Sequence, residues 1–137
     1  MYTILVPIDG DEGRAQAQTE FVLDLPTDRD EVSVVLTHTL QGAEREAPRE
    51  MQDPGRVATV RDARDALAAD GYEVEILEAS APPAEGILNL AADVEADLIV
   101  MGGRKRSPAG KALFGSATQA VVLDSDVPVV VTGSASG

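Results

Sequence analysis

Four of the eleven basic side chains of this 137-residue chain lie within eight residues of one another. They are Arg104, Lys105, Arg106 and Lys111. The surrounding stretch from Leu98 to Leu123 contains no Asp or Glu, although the chain carries 24 acidic residues and a formal net charge of -13. A cation cluster against that background predicts a local anion site, and phosphate is the anion that it favours.

Glycines in the same stretch would let backbone N–H groups approach a ligand closely. They stand at Gly102, Gly103, Gly110 and Gly115. Gly115 and Ser116 also open a predicted helix, whose unpaired N–H groups favour phosphate. The alternative is a flexible surface loop with basic residues and an ordinary serine helix cap. Cations, glycines and a helix start together favour phosphate binding over that alternative.

Two known phosphate-binding motifs do not fit this stretch. Lys111 follows Gly110 as in a Walker loop, but Ala112 stands where Ser or Thr is required, and six residues rather than four separate Gly103 from Gly110. No G-x-G-x-x-G pattern follows the first predicted strand, so the dinucleotide fingerprint is missing as well. A phosphate site here must therefore be of another kind.

Strand and helix patterns alternate along the chain. Five short segments rich in Val, Ile and Leu predict strands at Tyr2–Ile8, Glu31–His38, Tyr72–Ala79, Asp97–Met101 and Val127–Thr132. Between them, apolar residues at helical spacing predict helices at Gly13–Leu25, Arg56–Ala69, Pro83–Val94 and Ser116–Leu123. This alternation predicts an α/β fold with a doubly wound parallel sheet and helices on both faces.

Ligands of such sheets bind beyond the carboxyl ends of the strands, where the strand order reverses. In this sequence the first strand ends at Pro7–Gly10, the second ends at Thr37–Thr39, and the fourth runs directly into Met101 and the basic stretch. If the first and fourth strands are neighbours, these ends surround one crevice.

The strand ends do not contain a recognisable catalytic set. His38 is the only histidine, and it ends a buried strand without acidic or nucleophilic company. We interpret it as a structural, hydrogen-bonded residue. No Ser-His-Asp set, carboxylate pair or metal-ligand cluster can be assembled there, so the sequence predicts no hydrolytic machinery.

Length and composition limit the classes of function. A chain of 137 residues is the size of one domain, and we expect that domain over residues 1–133 with a flexible tail over 134–137. The charge argues against nucleic acid or an anionic membrane as a partner. Without cysteine, a signal peptide or a membrane-spanning run, the expected location is the cytoplasm. The charged stretch Gln41–Asp53 lacks an apolar period and predicts a long connection.

Three segments resemble the universal stress protein family, and the resemblance extends over nearly the whole chain. They are the opening ILVPIDG, the ADLIVMGG of the fourth strand, and the loop that ends in Gly115-Ser116. In the ATP-binding branch of the family this loop reads G, two residues, G, nine residues, then G followed by S or T. Counted back from Gly115, the first glycine is Gly102 and the second position is Lys105. The expected fold is that of the family, with strand order 3-2-1-4-5.

The resemblance implies a site for ATP or a related adenine nucleotide, with Mg²⁺ as an associated ion. Adenosine would be recognised by Pro7, Ile8 and Asp9 and by the backbone of Thr39. Met101 and Gly102 would lie beneath the phosphates, with Arg104 and Lys105 beside them. The far end of the phosphate chain would be bound by Gly115, Ser116 and Ala117. For Asp9 the residues alone leave a second interpretation open, in which it caps the first helix.

Lys105 departs from the family pattern at a position where glycine lets the backbone lie against phosphate. Either the lysine crowds the phosphates, or it replaces a backbone contact with a cationic one. If the lysine crowds the phosphates, the protein is predicted to be a nucleotide-free interaction protein. If it contacts them, we predict a nucleotide-responsive role in signalling or stress tolerance. The sequence does not identify the signalling partner. A slow ATPase is a third interpretation, but it needs a positioned base that the sequence lacks.

The last strand predicts an oligomer. Val127–Val131 is apolar and would be exposed if the sheet ended there. The family resemblance implies that this strand pairs antiparallel with its copy across a two-fold axis, which makes a homodimer.

Salt dependence is the first testable prediction. The charged residues comprise 13 Asp and 11 Glu against 9 Arg and 2 Lys, a balance typical of a halophilic archaeon, since at roughly 1 M salt the Debye length falls to ~3 Å and acidic self-repulsion is screened. We expect the melting temperature to fall when KCl is lowered from molar concentration to ~0.1 M. A melting temperature indifferent to salt would indicate an acidic mesophilic protein instead.

Overall fold

A computed structural model describes residues 1–38, 57–80, 82–103 and 115–133. The predicted connection Gln41–Asp53 and the tail 134–137 lie outside these residues. In the described part, strands and helices alternate as β1 (Tyr2–Ile8), α1 (Glu12–Leu23), β2 (Val32–His38), α2 (Ala58–Ala69), β3 (Glu73–Ile76), α3 (Pro83–Asp93), β4 (Leu98–Gly102), α4 (Ser116–Asp124) and β5 (Val129–Thr132), with a short 3-10 turn, Arg29–Glu31, before β2.

The five strands form one parallel sheet in the order β3-β2-β1-β4-β5. The order and direction confirm the predicted doubly wound class. They also confirm that the first and fourth strands are neighbours, so the strand order reverses between β1 and β4. The carboxyl ends of β1, β2 and β4 therefore lie at one edge of the sheet.

Two apolar clusters lie on opposite faces of the sheet. Alternate residues of β1 divide between them, because successive side chains of a strand point to opposite faces. Ile4, Val6 and Ile8 pack in one cluster with residues of α1 and α2. Leu5 packs in the other with residues of α3 and α4. Burying one such aliphatic side chain contributes about 1.5–3 kcal/mol, so the central strands supply much of the folding free energy.

The predicted strand and helix boundaries differ from the observed ones by only a few residues, for local reasons. β3 ends before the predicted Ala79, where the Leu77 N–H makes the last hydrogen bond to β2 at Leu36 O. β5 begins after the predicted Val127, because the Ser125 hydroxyl holds the N–H and carbonyl of Val127 in a turn. α1 begins one residue before Gly13, at Glu12, because the Asp11 carboxylate accepts from the Arg14 N–H and caps it.

Arg29 holds the amino-terminal end of the sheet together. Its guanidinium donates to the carbonyl oxygens of Leu23 and Leu25 at 2.7 and 2.8 Å. It also forms an ion pair of 2.7 Å with Asp70 and lies 4.3 Å from the ring centre of Tyr72. The connection from α1 to β2 is thereby joined to the turn between α2 and β3.

No helix in the described ranges is long and apolar enough to cross a membrane.

Candidate functional site

The strands β1 and β4 separate near their carboxyl ends. Their pairing register covers only Ile4 with Leu98 and Leu5 with Ile99. Beyond that point Pro7 has no N–H to donate, so the ladder cannot continue through it. β1 remains paired with β2 on its other side through Ile8. A crevice therefore opens between β1 and β4 at the place where ligands of doubly wound sheets bind.

The side-chain amide of Gln18 spans this opening. Gln18 lies on α1 and is 1% exposed. Its Nε2 donates to the carbonyl oxygen of Pro7 at 2.6 Å and to that of Val100 at 2.9 Å. One amide group thus satisfies a buried carbonyl on each of the two diverging strands.

The remaining carbonyls at the ends of β1 and β4 also accept hydrogen bonds from side chains. His38 Nδ1 lies 3.0 Å from Ile8 O, and because a carbonyl only accepts, this nitrogen carries the hydrogen. The Thr59 hydroxyl donates to Asp9 O at 2.8 Å. The hydroxyls of Thr132 and Thr118 make longer bonds to Met101 O and Gly102 O, at 3.3 and 3.4 Å. The protein's own groups therefore hold the strand ends in position.

Asp9 lies in the turn between β1 and α1. Its carboxylate accepts from the Asp11 N–H and from Arg14 Nε, both at 2.9 Å. Because Asp11 caps α1, the interpretation of Asp9 as the helix cap is wrong. Asp9 instead forms a nearly buried ion pair with Arg14. A ligand group that met this carboxylate would therefore also meet the guanidinium.

Protein packing leaves little room for a side chain at Gly102 and none at Gly103. A methyl group at Gly102 would lie 3.1 Å from Gln18 Oε1, and one at Gly103 would lie 2.6 Å from the Thr132 carbonyl oxygen. The second distance is shorter than any ordinary carbon–oxygen contact. These two glycines therefore let α1 and β5 approach β4 closely. The sequence alone had suggested only the close approach of a ligand.

The amino end of α4 lies beside the end of β4. Gly115 is its N-cap residue, and no side chain in the described part of the molecule caps it. Ser116 is exposed and Ala117 is half-buried. The bond from the Thr118 hydroxyl to Gly102 O joins this first turn to the strand end. Unpaired N–H groups at a helix start attract anions.

The other predicted site residues divide between the two faces of the sheet. Pro7 and Met101 lie on the face of α3 and α4, as does Leu5, two residues before Pro7. The Ile8 side chain is fully buried on the opposite face, so Ile8 can meet a ligand only through its backbone. Thr39, Arg104 and Lys105 lie outside the described residues.

Sequence reasoning missed the side chains that hold the strand ends. Gln18 had a detectable signal, since it occupies a core position between Ala15 and Val22 on the buried face of α1. Thr59, Thr118 and Thr132 gave none, because threonine is ordinary at helix starts and in strands. The described ranges contain no group of three His, Cys, Asp or Glu residues that could hold a metal ion.

The opposite end of the sheet is unsuited to phosphate. A hollow of about 780 Å³ there is lined in part by Tyr2, Leu25, Asp28, Asp30 and Glu31. Three carboxylates would repel an anion. The carboxyl edge, with a helix start that no described side chain caps, is therefore the better candidate for an anionic ligand.

Comparison with known proteins assigns the family. The model of the universal stress protein family matches residues 1–133. The chain belongs to the universal stress protein family.

Solved structures and curated sequences agree with this assignment. A universal stress protein from Archaeoglobus fulgidus is 28% identical, with a TM-score of 0.77 over 96% of this chain and 98% of that one. A second structure of a universal stress protein from that organism, in complex with dAMP, is 24% identical, with a TM-score of 0.71 over 96% and 98% of the two chains, and shows the fold alone. The stress response protein NhaX of Bacillus subtilis is 40% identical over 63 residues, which are 46% of this chain and only 36% of NhaX.

The role of Gln18 in this universal stress protein can be tested by Gln18→Leu. The variant keeps the approximate side-chain volume but leaves the buried carbonyls of Pro7 and Val100 unpaired, which should lower the free energy of unfolding by about 3 kcal/mol. Urea denaturation measures the change. Gln16→Leu, on the exposed side of the same helix, is the control and should stay within about 0.5 kcal/mol of wild type. Equal losses in the two variants would contradict a special role for Gln18.

Proposed function

We propose that this universal stress protein binds ATP or a related adenine nucleotide at the carboxyl edge of β1, β2 and β4. One observation carries the proposal: the start of α4, which no described side chain caps, is joined to the end of β4 beside the crevice where β1 and β4 separate. A helix start offers N–H groups to phosphate, and the neighbouring crevice offers apolar surface to a nucleoside. The Archaeoglobus relative solved with dAMP supports an adenine nucleotide as the ligand.

The residues divide between the two parts of the nucleotide. We propose that the nucleoside lies against Met101 and the segment Pro7–Asp9, with the backbone of Thr39 beside the base. The phosphates would lie against Gly102 and the first turn of α4, from Gly115 to Ala117. Mg²⁺ would accompany ATP as a counter-ion to its phosphates rather than as a resident metal.

The cations of the basic stretch would complete the phosphate site. Arg104 and Lys105 follow directly on the end of β4. In a chain of charge -13, a polyanion needs local cations to overcome the general repulsion. We propose that nucleotide occupancy is the signal of a cytoplasmic protein in stress tolerance, read by a signalling partner.

A second candidate function follows from Lys105 alone. The lysine stands where the ATP-binding branch has glycine, so its side chain would fill space that the phosphates need. In that case the protein is a nucleotide-free interaction protein of the same fold. The two functions make opposite predictions for a glycine variant at this position.

Calorimetric titration of ATP in molar KCl with Mg²⁺ separates the two functions. We expect the wild type to bind and Lys105→Gly to bind about tenfold more weakly, because a cationic phosphate contact is lost, worth about 1.4 kcal/mol. Arg61→Ala, which removes an exposed cation on α2, is the control and should bind like wild type. Binding only by Lys105→Gly would establish the blocked site, and no binding by either protein would overturn the proposed function.

We also propose that β5 forms a homodimer by antiparallel pairing with its copy. β5 is an edge strand of four residues, Val129–Thr132, without a charged side chain. The helix before it exposes Val122 and Leu123, the latter by 73%. By contrast, the opposite edge strand β3 exposes the carboxylates of Glu73 and Glu75. Charged edges resist pairing and apolar edges favour it, which supports β5 as the contact.

A proline in β5 tests the dimer. Pro128 O accepts from Ile99 N and Thr132 O accepts from Gly103 N, so the N–H of Val131 points away from β4. Val131→Pro removes that outward N–H without removing a hydrogen bond to β4, and should convert a dimer to a monomer in light scattering. Val74→Pro, at an outward position of β3, is the control and should leave the mass unchanged. A monomeric wild type would refute the proposal.

A further inference from the structure

One buried hydroxyl at the candidate site lacks a hydrogen bond. Thr37 is 0% exposed, and its Oγ1 is the one buried side-chain polar atom in the described ranges that has no hydrogen-bond partner. Leaving such a group unsatisfied costs about 1–3 kcal/mol, so buried hydroxyls are nearly always paired with protein, water or a ligand. The hydroxyl of Thr37 therefore requires a partner that the described protein groups do not supply.

Thr37 lies on the ligand side of the sheet. It is the next-to-last residue of β2 and pairs in register with Pro7. Strand alternation places its side chain on the same face as Val35, two residues earlier. Val35 and Met101 belong to the cluster of α3 and α4. Thr37 therefore shares its face and its end of the sheet with the two apolar residues proposed to contact the nucleoside, Pro7 and Met101.

A water molecule is a poor partner at this position. A buried water needs two to four polar neighbours. Near the carboxyl ends of β1, β2 and β4 the other side chains on this face are apolar, and they include Leu5, Val35 and Met101. The Pro7 and Met101 carbonyls already accept bonds from Gln18 and Thr132. In the described part of the molecule a water beside Thr37 would therefore find few free polar neighbours, whereas an aromatic base would cover the apolar surface and offer a polar edge to the hydroxyl.

We infer that the Thr37 hydroxyl hydrogen-bonds the edge of the adenine base, so that Thr37 is a specificity-determining residue of the nucleotide site. The inference rests on the proposed function. The base would lay its face on the apolar surface of Pro7 and Met101 and turn a ring nitrogen or its amino group to the hydroxyl, which can both donate and accept. Because Thr37 is 0% exposed, the inference requires that the residues covering this hydroxyl move aside when the base enters.

The test compares two variants with two ligands. Thr37→Val replaces the hydroxyl with a methyl group of similar shape, and Thr37→Ser keeps the hydroxyl. AMP and ribose 5-phosphate are titrated by calorimetry, the weaker ligand by displacement. We expect Thr37→Val to bind AMP about fivefold to tenfold more weakly, the effect of one lost hydrogen bond. Its affinity for ribose 5-phosphate should not change, because that ligand has no base, and Thr37→Ser should retain affinity for AMP.

A stability measurement on the free protein completes the test. Removing an unsatisfied hydroxyl should leave the melting temperature of Thr37→Val equal to or above that of wild type. Thr19→Val, whose buried hydroxyl donates to Ala15 O on α1, is the control for AMP affinity. Unchanged AMP affinity in Thr37→Val, or equal weakening of AMP and ribose 5-phosphate, overturns the inference. A wild type that binds no adenine nucleotide overturns the proposed function and this inference with it.

Discussion

The arrangement of the carboxyl edge depends on one side-chain amide. Where two parallel strands separate, backbone carbonyls inside the protein lose their partners. Leaving these carbonyls buried and unpaired would reduce the free energy of unfolding by more than most single buried side chains add to it. Gln18 removes this cost by donating to both Pro7 and Val100. The crevice can therefore open between β1 and β4 without exposing the core to water. Gly102 accommodates the same side chain, because a Cβ there would lie 3.1 Å from Gln18 Oε1, closer than most such contacts.

Side chains hold the backbone at the carboxyl edge, and their hydrogen bonds limit what that backbone can offer to a ligand. The carbonyls of β1 and β4 at this edge are already engaged with His38, Thr59, Thr118 and Thr132 as well as Gln18. A nucleotide bound as proposed would use the N–H groups at the start of α4 and the hydroxyl of Thr37 rather than these carbonyls. Donors match the phosphates and ring nitrogens of a nucleotide, since both are acceptors. The acidic surface elsewhere would repel such a ligand, which favours this edge as its site.

Much of the fold could be predicted from the sequence, whereas the contacts of the site could not. The strands are apolar runs, and α2 and α3 have a clear apolar period, so the alternation of strands and helices along the chain was predicted from the residues. The order of the strands in the sheet, with β1 beside β4, was predicted from the resemblance to the family and is confirmed. The identity of the helix cap was not predicted, because Asp9 and Asp11 are the same residue type two positions apart, and only backbone geometry decides that Asp11 caps α1. Likewise, the sequence suggests that Gly103 lets a ligand approach the backbone, whereas in the structure the Thr132 carbonyl of the neighbouring strand lies against it. Contacts between residues distant in the chain leave no local pattern.

Arg29 has a consequence for how this sequence can evolve. Its guanidinium reaches the carbonyls of Leu23 and Leu25, which any residue could provide, so those side chains are free to change as far as this contact is concerned. The arginine itself is not free, because a lysine has three donors on one nitrogen and cannot serve two separated carbonyls, Asp70 and the Tyr72 ring together. Substitution of Asp70 or Tyr72 would remove a contact of Arg29 and so affect the position of its guanidinium. We therefore expect Arg29, Asp70 and Tyr72 to change together in evolution. Leu23 and Leu25, which contribute only backbone carbonyls to this contact, are expected to change independently of them.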